Sequence, residues 1–523
     1  MNDFPLLTLL WVVPLVGALA VAFGPRGALA KQTAVVVSLL TLVVGVVVAT
    51  QFDRGTDGFQ LTETHEWIGA FGVHYALGLD GLGLLLVLLT VALVPVVLVA
   101  AWNDAPDDTA RQFYAWALAL EALSLVVFLA TDVFLFYVVF EATLIPAYFL
   151  IGGFGRAGRS AAALKFLMFQ LGGGLVLLGS VIGLYVVSAQ AGSPSYLLTD
   201  LQQVDMSTSA ERWLFAGFFI AFAIKAPLFP VHTWLADTTE RATPATSVLL
   251  VCVLDKIGTF GMLRFCLGLF PGASEWATPL VIALALISIV YGAFIAIGQD
   301  DLLRLIGLTS LSHFGFITLG IFVFTAQGAS GSILYMVNHG VATAALFLIA
   351  GFVIKRRGTS RISQMGGLEK VTPVSAGLFL VAGLATAGLP GLSQFVSEIL
   401  VLISAFDYRW YVGAIAVTGI VLAAIYVLWA YQRIFTGPNP SVLQADVVAA
   451  DGSSDPEMRQ RVADLGRREI GVLVPLVAAL VLFGFYPMPL LDVSNPFSES
   501  LLQQTGVTDD GPRVPVEAQE AGR

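Results

Sequence analysis

Runs of about twenty apolar residues recur along almost the whole of this chain, and no other feature limits its fold so severely. A helix rises about 1.5 Å per residue, so about 20 residues cross the roughly 30 Å hydrocarbon layer of a bilayer. That window marks roughly fourteen candidate spans: 5–24, 31–51, 79–102, 111–130, 132–153, 161–190, 211–240, 242–268, 277–298, 302–325, 328–355, 373–407, 411–435 and 469–488. Hydrophobic residues make up 57% of the chain and charged residues only 12%, where a soluble domain carries about a quarter charged. Folded in water, so much apolar side chain could not be hidden. The chain therefore reads as an all-α integral membrane protein of about fourteen transmembrane helices. Two spans, 211–240 and 373–407, are too long for one crossing and are interrupted by proline.

Orientation follows from lysine and arginine, which concentrate in cytoplasmic loops. Loops after the odd-numbered spans hold 18 of them, the opposite side 6 (Arg54, Arg212, Arg264, Arg409, Arg513, Arg523), and Lys225 and Lys256 complete the total of 26. An even number of spans with both termini outside the cytoplasm fits that imbalance. The opening apolar segment lacks a basic flank and a convincing cleavage site, so it reads as a membrane helix and not a removed signal. Loop 52–78 suggests an extracytoplasmic β-hairpin or cap, 436–468 a helix on the cytoplasmic surface, and 508–523 a solvated extension. The net charge of −10 is spread over such loops and the tail.

Against this background, ionisable residues inside spans stand out. On an insertion scale each costs about 3 kcal/mol at mid-bilayer, so such residues face protein or water and mark pathways. Glu141, Lys225, Lys256, His313, His339 and Glu398 form a series along the chain. A structural ion pair between Glu141 and Lys225 is the bland alternative, but one pair would suffice for structure, and here the feature repeats across six spans. His313 and His339 could equally be satisfied core histidines. Glu121 is a further buried acid with no helix breaker or base beside it. Asp255 could merely balance Lys256, and Asp237, Glu240 and Arg241 lie near a span end where solvent would serve them.

Prolines supply the second half of the argument. Pro227 and Pro230 remove backbone donors next to Lys225, and Pro390, between Gly388 and Gly391, does the same ahead of Glu398. Irregular backbone at membrane depth survives only against protein or a water-filled cavity. Two broken helices in two halves of a chain point to inverted repeats with ion sites at the breaks. Desolvation disfavours the charged amine of a lysine and a nearby carboxylate restores it. Moving Glu141 relative to Lys225 would therefore switch Lys225 between holding and releasing a proton, which Lys256 and the histidines could relay toward Glu398.

No Gly-rich phosphate loop, CxxC pair or HExxH occurs, and Cys252 and Cys266 are too few for an iron–sulfur cluster. The expectation is a chain with no cofactor, no metal and no nucleic-acid partner.

The motifs Phe140-Glu141-Ala-Thr-Leu-Ile-Pro146, Lys225-Ala-Pro227-Leu-Phe-Pro230-Val-His232-Thr-Trp234, Ser310-Leu-Ser-His313-Phe-Gly315 and Gly388-Leu-Pro-Gly-Leu-Ser393 resemble those of the antiporter-like subunits of respiratory complex I. The likeness covers nearly the whole chain, most strongly 110–435. It implies that Glu141 and Lys225 are a functional pair on the fifth and the broken seventh helix, and that Lys256 is the eighth-helix lysine. His232, His313 and His339 become polar relay positions. Glu398 stands at the broken twelfth helix, where sister subunits carry lysine. The implied organisation is helices 1–3 with the loop 52–78 in 1–110, one five-helix repeat in 111–268 and its inverted counterpart in 277–435. The remainder, 436–523, holds a cytoplasmic surface segment, the last helix and a polar tail. The resemblance further implies proton translocation in a bacterial plasma membrane, in contact with neighbouring antiporter-like subunits and lipid. NADH, flavin (FMN), iron–sulfur clusters and quinone would sit in partner subunits. A subunit of a sodium/proton antiporter or of a membrane-bound hydrogenase is the alternative, and lysine would be expected at 398 in such an antiporter.

Overall fold

The computed structural model describes residues 4–506 apart from 25, 106, 193 and 437–462. Twelve helices among the described residues are long and apolar enough to cross a membrane: Leu6–Phe23, Ala28–Gln51, Gly81–Asn103, Ala110–Leu129, Val133–Phe154, Arg159–Gln190, Pro244–Leu267, Pro271–Ile297, Leu302–Phe322, Ala326–Arg357, Trp410–Thr436 and Arg467–Phe485. Each falls on an expected span. Several start where a side chain satisfies free backbone donors: Asp80 accepts from Gly83 N at 2.9 Å, Asp132 from Phe134 and Leu135 N at 2.9 Å, and Asp301 from Leu303 and Arg304 N at 3.0 Å.

The two remaining expected spans are the broken ones. Thr208–Lys225 stops at Lys225 and resumes as Thr233–Arg241; Pro373–Thr386 stops and resumes as Ser393–Tyr408. Protein, not lipid, takes up the freed backbone groups. At the first break Trp234 Nε1 donates to Ile224 O at 3.0 Å and Phe229 N donates to Ser288 Oγ at 2.9 Å. At the second, Asn338 Nδ2 donates to the carbonyl of Ser393, the first residue of the resumed helix, at 2.7 Å and ties that helix to its neighbour. Gly388 and Gly391 take φ of 69° and 90°, the left-handed region that a side chain would strain. A third irregularity was not foreseen. Pro146 has no N–H for the carbonyl of Ala142, and the fifth helix divides there into Val133–Ala142 and Leu144–Phe154, with Thr143 between them and Glu141 next to the last residue of the first part.

Loops gather at two ends. At one, Gln60–Ile68 pairs antiparallel with Val73–Leu79, which bears out the hairpin. Glu63 pins it to the first helix by accepting from Leu7 N at 2.7 Å. At the opposite end the half-exposed ions Lys165, Asp237, Arg304 and Glu240 pair at 2.6–2.8 Å, and Arg356 Nη2 meets Glu469 at 2.6 Å. Asp237 and Glu240 lie at a span end as expected, but ion pairs with Lys165 and Arg304, and not solvent alone, serve them. Two readings need correcting. Arg264 is no loop cation: it lies buried within Pro244–Leu267 and pairs with Asp80. The segment after the last membrane helix is not simply a tail, because Met488–Thr505 forms a helix packed on Gly81–Ala100 and Ala326–Arg357. The expected surface helix within 436–468 falls largely outside the described residues, as does the tail 508–523.

The eighth helix presses a glycine onto the first break. A Cβ on Gly258 would collide with Ala226 N and stand 2.6 Å from Phe222 O. Overpacking of this kind costs about 1–3 kcal/mol. Gly258→Val is therefore expected to lower the thermal midpoint of the detergent-purified protein and its membrane content, with Gly258→Ala intermediate. Unchanged melting of the valine variant would show that the break yields freely.

Candidate functional site

Glu141, Lys225, Lys256 and Glu398 lie near irregularities in their helices, whereas His313 and His339 sit within unbroken ones. Lys225 is the last residue before the first break and is fully buried. Its Nζ lies 3.4 Å from Thr143 Oγ1 and 4.7 Å from the centre of the Phe140 ring. Glu141 is half-buried, and its Oε1 has no hydrogen-bond partner. The two are neighbours without being ion-paired, so the bland alternative of a locked structural salt bridge does not describe them. Gly174 provides the space for the carboxylate, since a Cβ there would overlap it.

Lys256 begins a short α-helical stretch, Lys256–Gly261, between two π-helical segments, Leu249–Leu254 and Met262–Leu267. π-helical insertions are rare and concentrate at functional sites. The Lys256 ammonium lies 2.6 Å from His339 Nδ1 and 4.4 Å from the Phe314 ring centre. An ammonium has only donors, so His339 Nδ1 accepts, its other nitrogen carries the hydrogen, and that Nε2 has no partner. Asp255, expected as a counterion, forms no ion pair and neither of its oxygens has a hydrogen-bond partner.

The His339 and His313 rings lie 5.1 Å apart. From His313 the contacts continue: Nδ1 to Tyr335 OH at 2.7 Å, and Tyr335 OH donating to Glu398 Oε1 at 2.8 Å. Gln394 Nε2 reaches both His313 Nδ1, at 2.9 Å, and Tyr335 OH, at 3.0 Å. Tyr426 OH lies 3.2 Å from His313 Nε2. One hydroxyl hydrogen thus faces two acceptors. When His313 Nδ1 carries a hydrogen it donates to Tyr335, which donates to Glu398. When Nδ1 is bare, the Tyr335 or Gln394 hydrogen can turn to it instead. Such an arrangement is chemically able to pass a proton between histidine and carboxylate through small rotations. Tyr335→Phe removes the bridge and keeps the ring, so proton movement is expected to fall several-fold with assembly intact. Acidification of vesicles measures it, and an undiminished rate would rule out the bridge.

Several residues of this chain of contacts were not singled out from the sequence: Thr143, Tyr335, Gln394 and Tyr426. Spacing could have found two of them, because Tyr335 precedes His339 and Gln394 precedes Glu398 by four, one helical turn. His232, by contrast, is not joined to the others. It stacks on Phe229 and packs against Tyr291, and its Nδ1 has no partner. Glu121 is buried with both oxygens unpartnered and makes no hydrogen bond to the series. Cys252 and Cys266 are free and buried, and no metal-sized cluster of ligands occurs among the described residues.

Residues 130–423 match the family described as the NADH:quinone oxidoreductase/Mrp antiporter transmembrane family. Along its full length the chain is 48% identical to NADH-quinone oxidoreductase subunit M of Mycobacterium tuberculosis, covering 99% of that protein. Among solved structures it superimposes on a chain of respiratory complex I from Thermus thermophilus with a TM-score of 0.85 and 32% identity, over 96% of this chain and all of that one. A chain of the Mrp complex from Dietzia sp. matches with a TM-score of 0.82 at 23% identity, over 95% of this chain and 98% of the other, a likeness of fold. The helical membrane fold agrees with these matches. The chain belongs to the subunit M branch of the NADH:quinone oxidoreductase/Mrp antiporter family of membrane proteins.

Proposed function

We propose that this chain is a translocase subunit that moves protons across the membrane along Glu141, Lys225, Lys256, His339, His313, Tyr335 and Glu398. The carrying observation is two hydrogen-bonded segments within apolar helices, Lys256 Nζ to His339 Nδ1 and His313 Nδ1 through Tyr335 to Glu398 Oε1, whose imidazole rings approach to 5.1 Å. A proton arriving on His339 Nδ1 from Lys256 leaves from Nε2, since imidazole binds on one nitrogen and releases from the other. It then passes to His313 and through Tyr335 to Glu398. Pro227, Pro230 and Pro390 open the backbone so that Lys225 and Glu398 can shift relative to their neighbours. His232, which stands apart from the series, serves on the flank near the first break.

In this reading NADH, FMN, iron–sulfur clusters and quinone belong to partner subunits, this chain holds no redox centre, and the redox reaction drives its proton movement. Its neighbours are other antiporter-like subunits, its place is the bacterial plasma membrane with both termini outside, and 111–268 and 277–435 act as two inverted five-helix repeats. All fourteen expected spans then cross, the two broken ones included. The test is NADH-driven proton uptake in vesicles holding the intact complex. Glu141→Ala and Lys256→Ala should each remove uptake while NADH oxidation by an artificial acceptor persists; full uptake in both would reject the reading. A sodium/proton antiporter reading is disfavoured by glutamate at 398, where lysine would be expected, and purification with partners that do not oxidise NADH would favour it.

A further inference from the structure

Resting on the reading above, we propose that Asp255 is a further proton carrier of the relay, receiving from Lys225 and passing to Lys256. The hydrogen bonds followed so far begin at Lys256 and leave the step before it open. Lys225 Nζ turns to Thr143 and Lys256 Nζ to His339, and no hydrogen bond among the described residues joins the two lysines. An ammonium has donors only, so two charged lysines cannot hand a proton to each other. An acceptor between them is needed.

Asp255 is placed to be that acceptor. Gly261 packs on the Phe222 ring and Gly258 on Ala226 N, the backbone atom that follows Lys225. The contact thus climbs toward the first break as the numbering of the eighth helix falls. Asp255, Gly258 and Gly261 are three residues apart and share one face, so the next turn brings Asp255 to the opened backbone beyond Ala226. The π-helical turn helps to fix this position: Asp255 N donates to Leu250 O, five residues back, at 2.9 Å. Its charge acts on both Lys256 and Lys225. Yet Asp255 is 1% exposed, and neither of its oxygens has a hydrogen-bond partner. A carboxylate kept for structure alone would be bonded or paired, because a bare buried charge is costly. A carrier has to stay free, with one oxygen to take the proton and the other to give it up.

Both transfers are simple exchanges. The Lys225 ammonium loses an N–H proton to a carboxylate oxygen of Asp255, which leaves an amine and a carboxylic acid. The acid then protonates the Lys256 amine, freed when Lys256 passes its own proton to His339, and becomes a carboxylate again. The flexible four-carbon stem of lysine supplies the reach.

Asp255→Asn keeps the shape and removes the carboxylate. In vesicles holding the intact complex it should cut NADH-driven proton uptake at least about tenfold, with assembly and NADH oxidation by an artificial acceptor kept. Asp255→Glu keeps the carboxylate and should retain most of the uptake. Infrared difference spectra of the complex at rest and in turnover should contain a carboxylic C=O band that shifts in Asp255→Glu and is absent from Asp255→Asn. The shift in the glutamate variant decides the matter even where asparagine disturbs assembly. Full uptake in Asp255→Asn, equally low uptake in both variants, or spectra that neither variant alters overturns the proposal. Failure of the parent reading has a different signature, since uptake would then also survive Glu141→Ala.

Discussion

Lys225→Met should abolish NADH-driven proton translocation and leave the protein inserted, assembled and stable. Lys225 is fully buried, yet its only hydrogen-bond partner is the Thr143 hydroxyl at 3.4 Å. Methionine has a similar length and fits the Phe140 contact. Exchanging a buried ionic group for an apolar one of like volume is often neutral or stabilising, so folding should survive. The chemistry should not. A positioned proton carrier contributes about 10²–10⁴-fold to transfer, so residual translocation should fall to about one-hundredth or less. The complex should still assemble, which gel mobility and NADH oxidation by an artificial acceptor would record. Near-normal acidification would mean that protons bypass the first break altogether.

Glu398→Gln should have an effect of similar size by a different route. The amide oxygen can still accept from Tyr335 and the side chain fills the same space, so the second break should keep its shape. What disappears is the only carboxylate among the hydrogen-bonded groups at that end of the relay. Its other oxygen, Oε2, has no partner and stands where Gly388 leaves room for it. Translocation is expected to drop about tenfold to a hundredfold. Glu398→Asp, which shortens the reach to Tyr335, should fall between the two. Equal activity of Glu398→Gln and the parent would show that the proton leaves the relay before the second break.

Much of this was legible in the sequence because the membrane makes charge conspicuous. Lys225, Lys256 and Glu398 cost so much in apolar surroundings that their positions alone drew attention, and Pro227, Pro230 and Pro390 announced where the backbone would open. Neutral polar groups are different. Tyr335 and Tyr426 do not interrupt an apolar span, and Gln394 and Thr143 cost little when bonded, so beyond the four-residue spacing of Tyr335 and Gln394 to charged neighbours no local signal set them apart. Their roles exist only where helices distant in sequence meet: Gln394 and His313 are 81 residues apart. The same holds for Arg264, which looked like a loop cation because its counter-charge, Asp80, lies 184 residues away. The π-helical segments around Lys256 carry no proline or glycine signature of their own. The helix at Met488–Thr505 was lost in a polar stretch whose apolar face is too weak for a membrane window.

The helix Ala326–Arg357 holds both Tyr335 and His339, and it packs against the helices bearing His313 and Glu398. Tyr335 and His339 are one turn apart on this single 32-residue rod, so their spacing is as stiff as the helix itself. In the proposed relay the middle is therefore rigid, and the backbone is irregular toward the extremities, where Lys225 ends a helix at the first break and Glu398 lies in the first two turns after the second. A mechanical or electrical disturbance arriving from elsewhere in an assembly can retune this molecule only by moving one of those two ends. The centre works as a fixed gear: it transmits what the ends impose and generates no stroke of its own.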